Sequence, residues 1–251
     1  LKRHRLAESE LETFNTALAQ IAVKNHKNAV HNEHAQYQRE ITVETVLKER
    51  KKAQKPLGLF DFAPISDGAT AIIIANPAEA PNTPDPCVHV TASASATDYV
   101  TYPARDDITG FIASATAMRN ALRTAEIAQG DIQIAELYDQ ATFLEMVSIE
   151  DLGFSKRGTA WKDIAESLNE SQRFYRVNGK ELHVNTNGGL KADGNPLGAT
   201  GGAQIYEIVK QLQGKAGNRQ VKTDTDLQFG CALELEGFGT KAYVHILRRG
   251  D

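Results

Sequence analysis

The Gly-rich segment from Asn187 to Gly202, NGGLKADGNPLGATGG, has the composition of a backbone that approaches a ligand closely. Gly198-Ala-Thr-Gly-Gly opens a stretch in which Ile205, Ile208, Val209 and Leu212 recur at helical spacing. The loop therefore presents side chains and backbone N–H groups at a predicted helix N-terminus, a place suited to partial negative charge. It is not a nucleotide loop: the chain has no G-x-x-x-x-G-K-[ST], and no G-x-G-x-x-G follows a strand. Within it Asn195 can donate and accept hydrogen bonds but cannot take a proton near neutral pH. A ligand contact and a turn residue are both open readings for it. His31, Glu33 and His34 lie close together without the H-E-x-x-H spacing and read as a solvated loop rather than a metal site. The two cysteines, Cys87 and Cys231, have no C-x-x-C partner and read as buried structural thiols.

The elements that must hold this loop follow from periodicity. Leu11, Phe14, Leu18 and Ile21 predict an amphipathic helix running into Lys24 to Asn28. Apolar residues thin out from Val30 to Pro56, a polar excursion or cap with a short helix at Val43 to Ala53. Ala69 to Ala75 is a continuous apolar run of strand length, expected to be buried on both faces. Asn76 to Pro86 carries four prolines and is the expected linker, with a second domain beginning near Cys87. There Cys87 to Ala94 alternates like a strand, and Phe111, Ala115, Met118, Leu122 and Ala125 mark a helix. Ile132 to Leu137 predicts another strand, giving the strand-helix-strand unit of a layered α/β domain. Asn178-Gly179 between Val177 and Lys180 signals a hairpin, and Val221 to Leu235 and Ala242 to Leu247 are the late strands.

A length of 251 residues suffices for one large or two small cores. A net charge of −4 gives no reason to expect nucleic acid or an anionic membrane surface. The basic runs Lys2 to Arg5 and Lys48 to Lys52 are short, solvated helix faces. Two cysteines in a chain of this size fit a reducing, cytoplasmic compartment. No stretch reaches the apolar length of a membrane span and none resembles a signal peptide. The chain begins without Met, which is expected of a processed or cut chain or of a sequence starting inside a longer one.

The loop around Gly194-Asn195-Pro196 resembles the G-H-P loop of the thiolase superfamily, in which a histidine stands where this chain has Asn195. Ala22 to Ala29, Pro64 to Ile74, Ala135 to Asp139 and Gly237 to Leu247 resemble further landmarks of that family, in family order and nearest the archaeal and sterol-carrier types. The resemblance implies a layered thiolase-like α/β fold (α/β/α/β/α). Residues 1–80 would be the tail of its N-terminal half with part of the loop region, and 86–251 its C-terminal domain. The nucleophilic cysteine of the family belongs to the first half, before the residues matched here. Apolar sheet surface would then stay exposed, and a partner chain or a further N-terminal segment is expected to cover it.

In that family the loop histidine activates the cysteine for Claisen-type bond formation or cleavage on acyl-CoA thioesters. Here Asn195 could still hold a thioester oxygen. The H-D-C-F or N-E-A-F landmark falls on Tyr138-Asp139-Gln140-Ala141, placing a phenol where the family has His or Asn. Tyr138 could donate to a carbonyl, act as acid or base if its site lowers its pKa, or simply pack at a strand end. Counting back from Val244 to Leu247, the second acid–base position falls on Leu233, with Glu234 beside it. A two-residue insertion would bring Cys231 there instead. The resemblance thus implies Asn195 and Tyr138 as catalytic candidates, and Gly194, Pro196, Asp139, Leu233 and Gly237 as substrate-binding ones. His26, Gly68, Gly188 and Gly189 are expected to be structural.

Three functions follow. The first is a subunit or fragment of an acetyl-CoA acetyltransferase-like enzyme, dependent on another chain or segment for the cysteine. The second is an aldolase of thiolase-like type using Tyr138. The third is a non-catalytic acyl-CoA or lipid-binding or scaffolding subunit. All three imply coenzyme A thioesters as ligands, no further cofactor or metal, and a homo- or hetero-oligomer with a thiolase-like chain. A small zinc-ribbon and OB-fold chain is a further implied partner; nucleic acid and a membrane span are not.

Overall fold

The computed structural model describes residues 6–53, 56–76, 86–168, 172–223 and 226–250. Among these, six strands form one mixed sheet in the order β1-β6-β5-β2-β4-β3. The strands are β1 (Val88–Thr97), β2 (Ile134–Glu136), β3 (Tyr175–Val177), β4 (Lys180–Val184), β5 (Phe229–Glu236) and β6 (Lys241–Arg249). β2 runs parallel to β4 and β5, and the remaining pairs are antiparallel. The helices are α1 (Leu11–Ala29), α2 (Val43–Ala53), α3 (Ile112–Ala125), α4 (Thr142–Asp151), α5 (Ala160–Ser167), the short α6 (Gly189–Ala192) and α7 (Thr200–Leu212).

Strand alternation sorts the sheet's side chains between two layers. On one face Ala135, Leu137, Cys231, Leu233 and Leu235 join Phe14, Leu18 and Ile21 of α1, Met118 of α3 and Trp161 of α5 in the main core. On the other, Ile134, Ala232 and Leu247 pack against Ile208 and Leu212 of α7. Gly230 is required there, since a methyl group would overlap the Ile208 side chain. α1 lies on α5, α4, α6 and α2, so the first helix shares its core with the late elements.

Helix starts and turns follow local chemistry. The α3 terminus receives the Asp151 carboxylate on the Phe111 N–H at 2.7 Å. Asn178 and Gly179, at φ of 51° and 76°, make the tight β3–β4 turn that Asn-Gly predicts.

Several expectations need correction. Ala69 to Ala75 is not a strand: it runs extended with Ile73 97% and Ile74 80% exposed. A doubly buried strand needs neighbours on both edges, and among the described residues no strand pairs with this run, the nearest bridge being Ile65 to Asn195. Ile65, Leu197 and Tyr206 are exposed and leave apolar surface around the start of α7. The last strand pair begins at Phe229, not Val221, whose N–H instead goes to Gln211 Oε1 at 2.9 Å. Cys87 is only half-buried, whereas Cys231 is sealed in the core and its thiol is pushed up to about 12 by burial. Residues 77–85 of the expected linker lie outside the described residues. Among the described residues no helix is long and apolar enough to cross a membrane.

Candidate functional site

Beyond β2 the chain continues as Leu137-Tyr138-Asp139, and alternation sends Tyr138 to the α7 face and Asp139 to the opposite one. Asp139 is fully buried. Its Oδ1 accepts the Leu190 N–H at 2.7 Å, and its Oδ2 accepts from Asn25 Nδ2 at 2.7 Å and the Lys191 N–H at 3.2 Å. Burial, and then the Glu145 charge, raise its carboxyl to about 7. It therefore ties α1 to the start of α6 and is closed to a ligand, which corrects the substrate-binding role expected for it.

Around Asp139 lies a buried polar cluster that sequence periodicity did not reveal. Lys24 Nζ meets Glu145 Oε1 at 2.9 Å and the Val184 carbonyl at 2.7 Å. Asn25 and Asn185 each donate to Glu145 Oε2 at 2.8 Å, and the Tyr175 hydroxyl donates to Oε1. Both charges are met by ionic, amide or hydroxyl partners, the condition under which a buried charge is tolerated, while Asn25 Oδ1 is left without a hydrogen bond among the described residues. Lys24, Asn25 and Asn28 continue the stripe of Leu18 and Ile21 at helical spacing, and that position was the available signal.

On the α7 face Asn195 is buried and bridged to the 64–66 segment through its backbone. Its Oδ1 accepts from the Leu197 N–H at 3.2 Å and the Thr200 hydroxyl at 3.3 Å, so the amide oxygen shapes the turn into α7. The Asn195 side chain also hydrogen-bonds the Tyr138 phenol. Tyr138 in turn donates its proton to Gln140 Oε1 at 3.1 Å. Burial, followed by the Glu234 charge, raises the phenol above its ordinary pKa, with the Asn195 bond opposing. Tyr138 is thus a proton donor at neutral pH.

The strand pairing separates Leu233 from Glu234. β2 and β5 pair Ile134 with Gly230 and Glu136 with Ala232. Tyr138 and Glu234 each lie two residues beyond that last pair, and the Glu234 charge acts on the Tyr138 phenol. Leu233, by contrast, faces the main core and is fully buried, so it cannot meet a ligand there. A register read one residue off moves a side chain to the opposite face. Gly237, at φ 58°, shapes the β5–β6 turn, with its carbonyl accepting the Thr240 hydroxyl at 2.6 Å.

A cavity of about 360 Å³ opens on the α7 face, lined by the 66–71 strip, Gly194, Pro196, Thr200 and Ala203 and, deeper, by Glu136, Asp193, Glu207 and Arg219. Of the expected site residues, Gly194 and Pro196 line it, while Tyr138 and Asn195 do not. Gly194 has φ 127°, and a side chain there would strike Ser66 and Gln36. At the cavity floor the Thr186 N–H and hydroxyl reach Glu136 Oε1 at 2.8 Å, and Arg219 holds Glu207 at 2.8 Å. Burial and then the Glu207 charge push the Glu136 carboxyl well above the ordinary carboxylate range, with the Thr186 hydrogen bonds opposing.

Of the residues expected to be structural, Gly68 and Gly189 also line the cavity. His26 is buried, with Nδ1 3.0 Å from the Arg39 carbonyl. Gly188, at φ 112°, lies against Ala29, and a side chain on Gly68 would crowd Pro196. His34 is exposed, and no group of three or more metal-ligating side chains occurs among the described residues.

Residues 94–249 match the family described as thiolase C-terminal domain-like. The chain is 39% identical over 240 residues to an acetyl-CoA acetyltransferase of Methanothermobacter thermautotrophicus, covering 96% of this chain and 60% of that protein. It is 32% identical to sterol carrier protein 2 of Bos taurus over 85% of this chain and 39% of that one. The chain thus spans well under two thirds of these relatives. Among solved structures it is similar to the Ltp2-ChsH2(DUF35) aldolase, with a TM-score of 0.74 and 26% identity over 94% of this chain and 58% of that one.

Proposed function

Because the chain belongs to the thiolase C-terminal domain family, with its layered α/β fold, we propose that its α7 face serves carbon–carbon bond chemistry of the aldol type on acyl-CoA thioesters. The observation that carries this reading is the Tyr138 phenol, kept protonated and held by the Asn195 amide where the family has proton-transferring side chains. An amide and a neutral phenol cannot generate a thiolate. They can hold a thioester oxygen as negative charge develops on it during enolate formation. The similarity to the Ltp2-ChsH2(DUF35) aldolase supports the same reaction class. Gly194 and Pro196 are assigned to substrate contact from the cavity wall.

In this proposal residues 1–80 are the tail of a thiolase first half and 86–251 the second half, completed by polypeptide outside the 251 residues. The exposed run Ile72 to Ile74 and the 60% coverage of an archaeal relative support that arrangement. Oligomerisation with a thiolase-like chain, a small zinc-ribbon and OB-fold partner, and a cytoplasmic location belong to the same proposal.

A second reading, acyl transfer with a cysteine supplied from elsewhere, is favoured by the acetyltransferase relative. The full-length protein with its co-purifying chains separates the two. Offered β-hydroxy-β-methylbutyryl-CoA, it releases acetone and acetyl-CoA in the aldol reading, and Tyr138→Phe abolishes most of that activity. Retention of retro-aldol activity by Tyr138→Phe sinks the aldol reading; CoA-dependent cleavage of a β-ketoacyl-CoA establishes the other.

A further inference from the structure

We propose that Glu234 is the acid–base residue of this site, carrying the proton between the β-hydroxyl and the α-carbon of a β-hydroxyacyl thioester. This rests on the aldol reading of Tyr138 and Asn195. The β2–β5 pairing ends at Glu136 with Ala232, and two residues on along each chain, in the same alternation, come Tyr138 and Glu234. The Glu234 charge acts on the Tyr138 phenol, as proximity requires.

Glu234 differs from the other carboxylates of that face in having no partner. Its Oε2 is buried without a hydrogen bond among the described residues. Glu136 has Thr186, and Glu207 has Arg219 and Gln211. The hydroxyl of Tyr243, opposite Glu234 on β6, is given to Glu236 instead. From α7, Gly201 faces Glu234 with no side chain at all. Burial alone raises the carboxyl to about 8, with no neighbouring cation offsetting it. A buried carboxyl left unsatisfied costs stability, and a base poised near neutral pH is what proton transfer from carbon or a hydroxyl requires.

In the retro-aldol direction the Glu234 carboxylate takes the β-hydroxyl proton. The O–H electron pair becomes the carbonyl of the departing ketone as the Cα–Cβ bond breaks. The pair from that bond enters the thioester enolate, whose oxygen receives a hydrogen bond from Tyr138. The carboxylic acid then returns the proton to Cα and regenerates the carboxylate. No oxidant or further reactant is needed.

The test uses the full-length protein with its co-purifying chains and two readouts. One is cleavage of β-hydroxy-β-methylbutyryl-CoA, and the other is exchange of deuterium from solvent into the α-position of propionyl-CoA. Glu234→Gln, nearly isosteric, is expected to slow both by about 100-fold or more, with Glu234→Asp recovering part of the loss. The wild-type exchange rate is expected to rise with pH through an inflection that Glu234→Gln lacks; this profile, read on the wild type, stands even if a variant folds poorly. Unchanged rates in Glu234→Gln, or a flat wild-type profile, overturn the role of Glu234 while leaving the aldol reading intact. A wild type that neither cleaves nor exchanges overturns that reading and this inference with it.

Discussion

The Asp139 carboxylate fills the space that a side chain on Gly189 would need, with both of its oxygens in contact with that position. Gly189 also sits at φ 61°, where a Cβ is strained whatever the space. The same carboxylate takes the N–H groups of Leu190 and Lys191. One carboxylate thus sets the start of α6 and the entry to the 187–202 loop. Gly189→Ala must displace it, and the expected cost is about 3 kcal/mol or more, from strain plus orphaned N–H groups. Urea denaturation of the variant measures it, and a loss within ordinary surface-mutation range would show that Asp139 can move freely.

Lys24 and Glu145 form a fully buried ion pair whose oxygens are otherwise used by Asn25, Asn185 and Tyr175. Removing the cation alone leaves a sealed carboxylate, so Lys24→Met is expected to destabilise by roughly 3–5 kcal/mol. The double variant Lys24→Met, Glu145→Leu should recover a substantial part of that loss. Non-recovery, measured in the same denaturation series, would indicate that the amide partners and not the charges carry the cluster.

How much of this was readable in the sequence depended on whether a signal was local. The α1 and α7 stripes, the Asn178-Gly179 turn and the Gly-rich loop are set by residues within a few positions of one another, and each lies where periodicity or turn chemistry puts it. Ile72 to Ile74 carried the composition of a buried strand, but burial depends on neighbours that composition does not specify. The choice between Leu233 and Glu234 is a matter of one residue in the β2–β5 register, a long-range pairing with no local signature. The Lys24 cluster was hidden because a lysine on a helix reads as solvated until the strand ends that satisfy it are placed beside it.

The 251-residue chain by itself is expected to show no thiolysis of acetoacetyl-CoA. Cys231 is sealed with its thiol pushed up to about 12, Cys87 directly precedes the edge strand β1, and Asn195 accepts no proton. Asn195→His alone should not install the activity, since a base without a thiolate has nothing to activate. CoA-dependent consumption of acetoacetyl-CoA, followed by its ultraviolet absorbance, would overturn this.

His26 is buried neutral, its pKa lowered to about 4 by burial and then by the Lys191 charge. Unfolding releases it to its ordinary value of 6.5. The unfolded chain therefore binds more protons between these two values, and the contribution of His26 to stability is lost as pH falls through that window. The upper bound is roughly 3 kcal/mol. His26→Gln should cost less at pH 4.5 than at pH 7, as read from urea midpoints, because the wild type has already lost most of this term at the lower pH. A pH-independent difference would mean that His26 titrates alike in the folded and unfolded chain.

Glu234 works in the opposite sense. Its folded pKa of about 8 lies above the ordinary 4.5, so the folded state holds the extra proton between those values. Stability attributable to this group is present below about 4.5 and is lost as pH rises towards 8, where the carboxyl must ionise without a partner. Glu234→Gln removes the ionisation and keeps the shape. The variant and wild type should unfold alike at pH 5, and at pH 9 the variant should be the more stable, on the order of 2 kcal/mol once partial solvent access is allowed for. A site residue that weakens the fold where it is ionised is the pattern expected when a carboxyl is held for proton transfer rather than for packing. Equal stability of the two proteins at pH 9 would show that Glu234 is solvated or paired in solution.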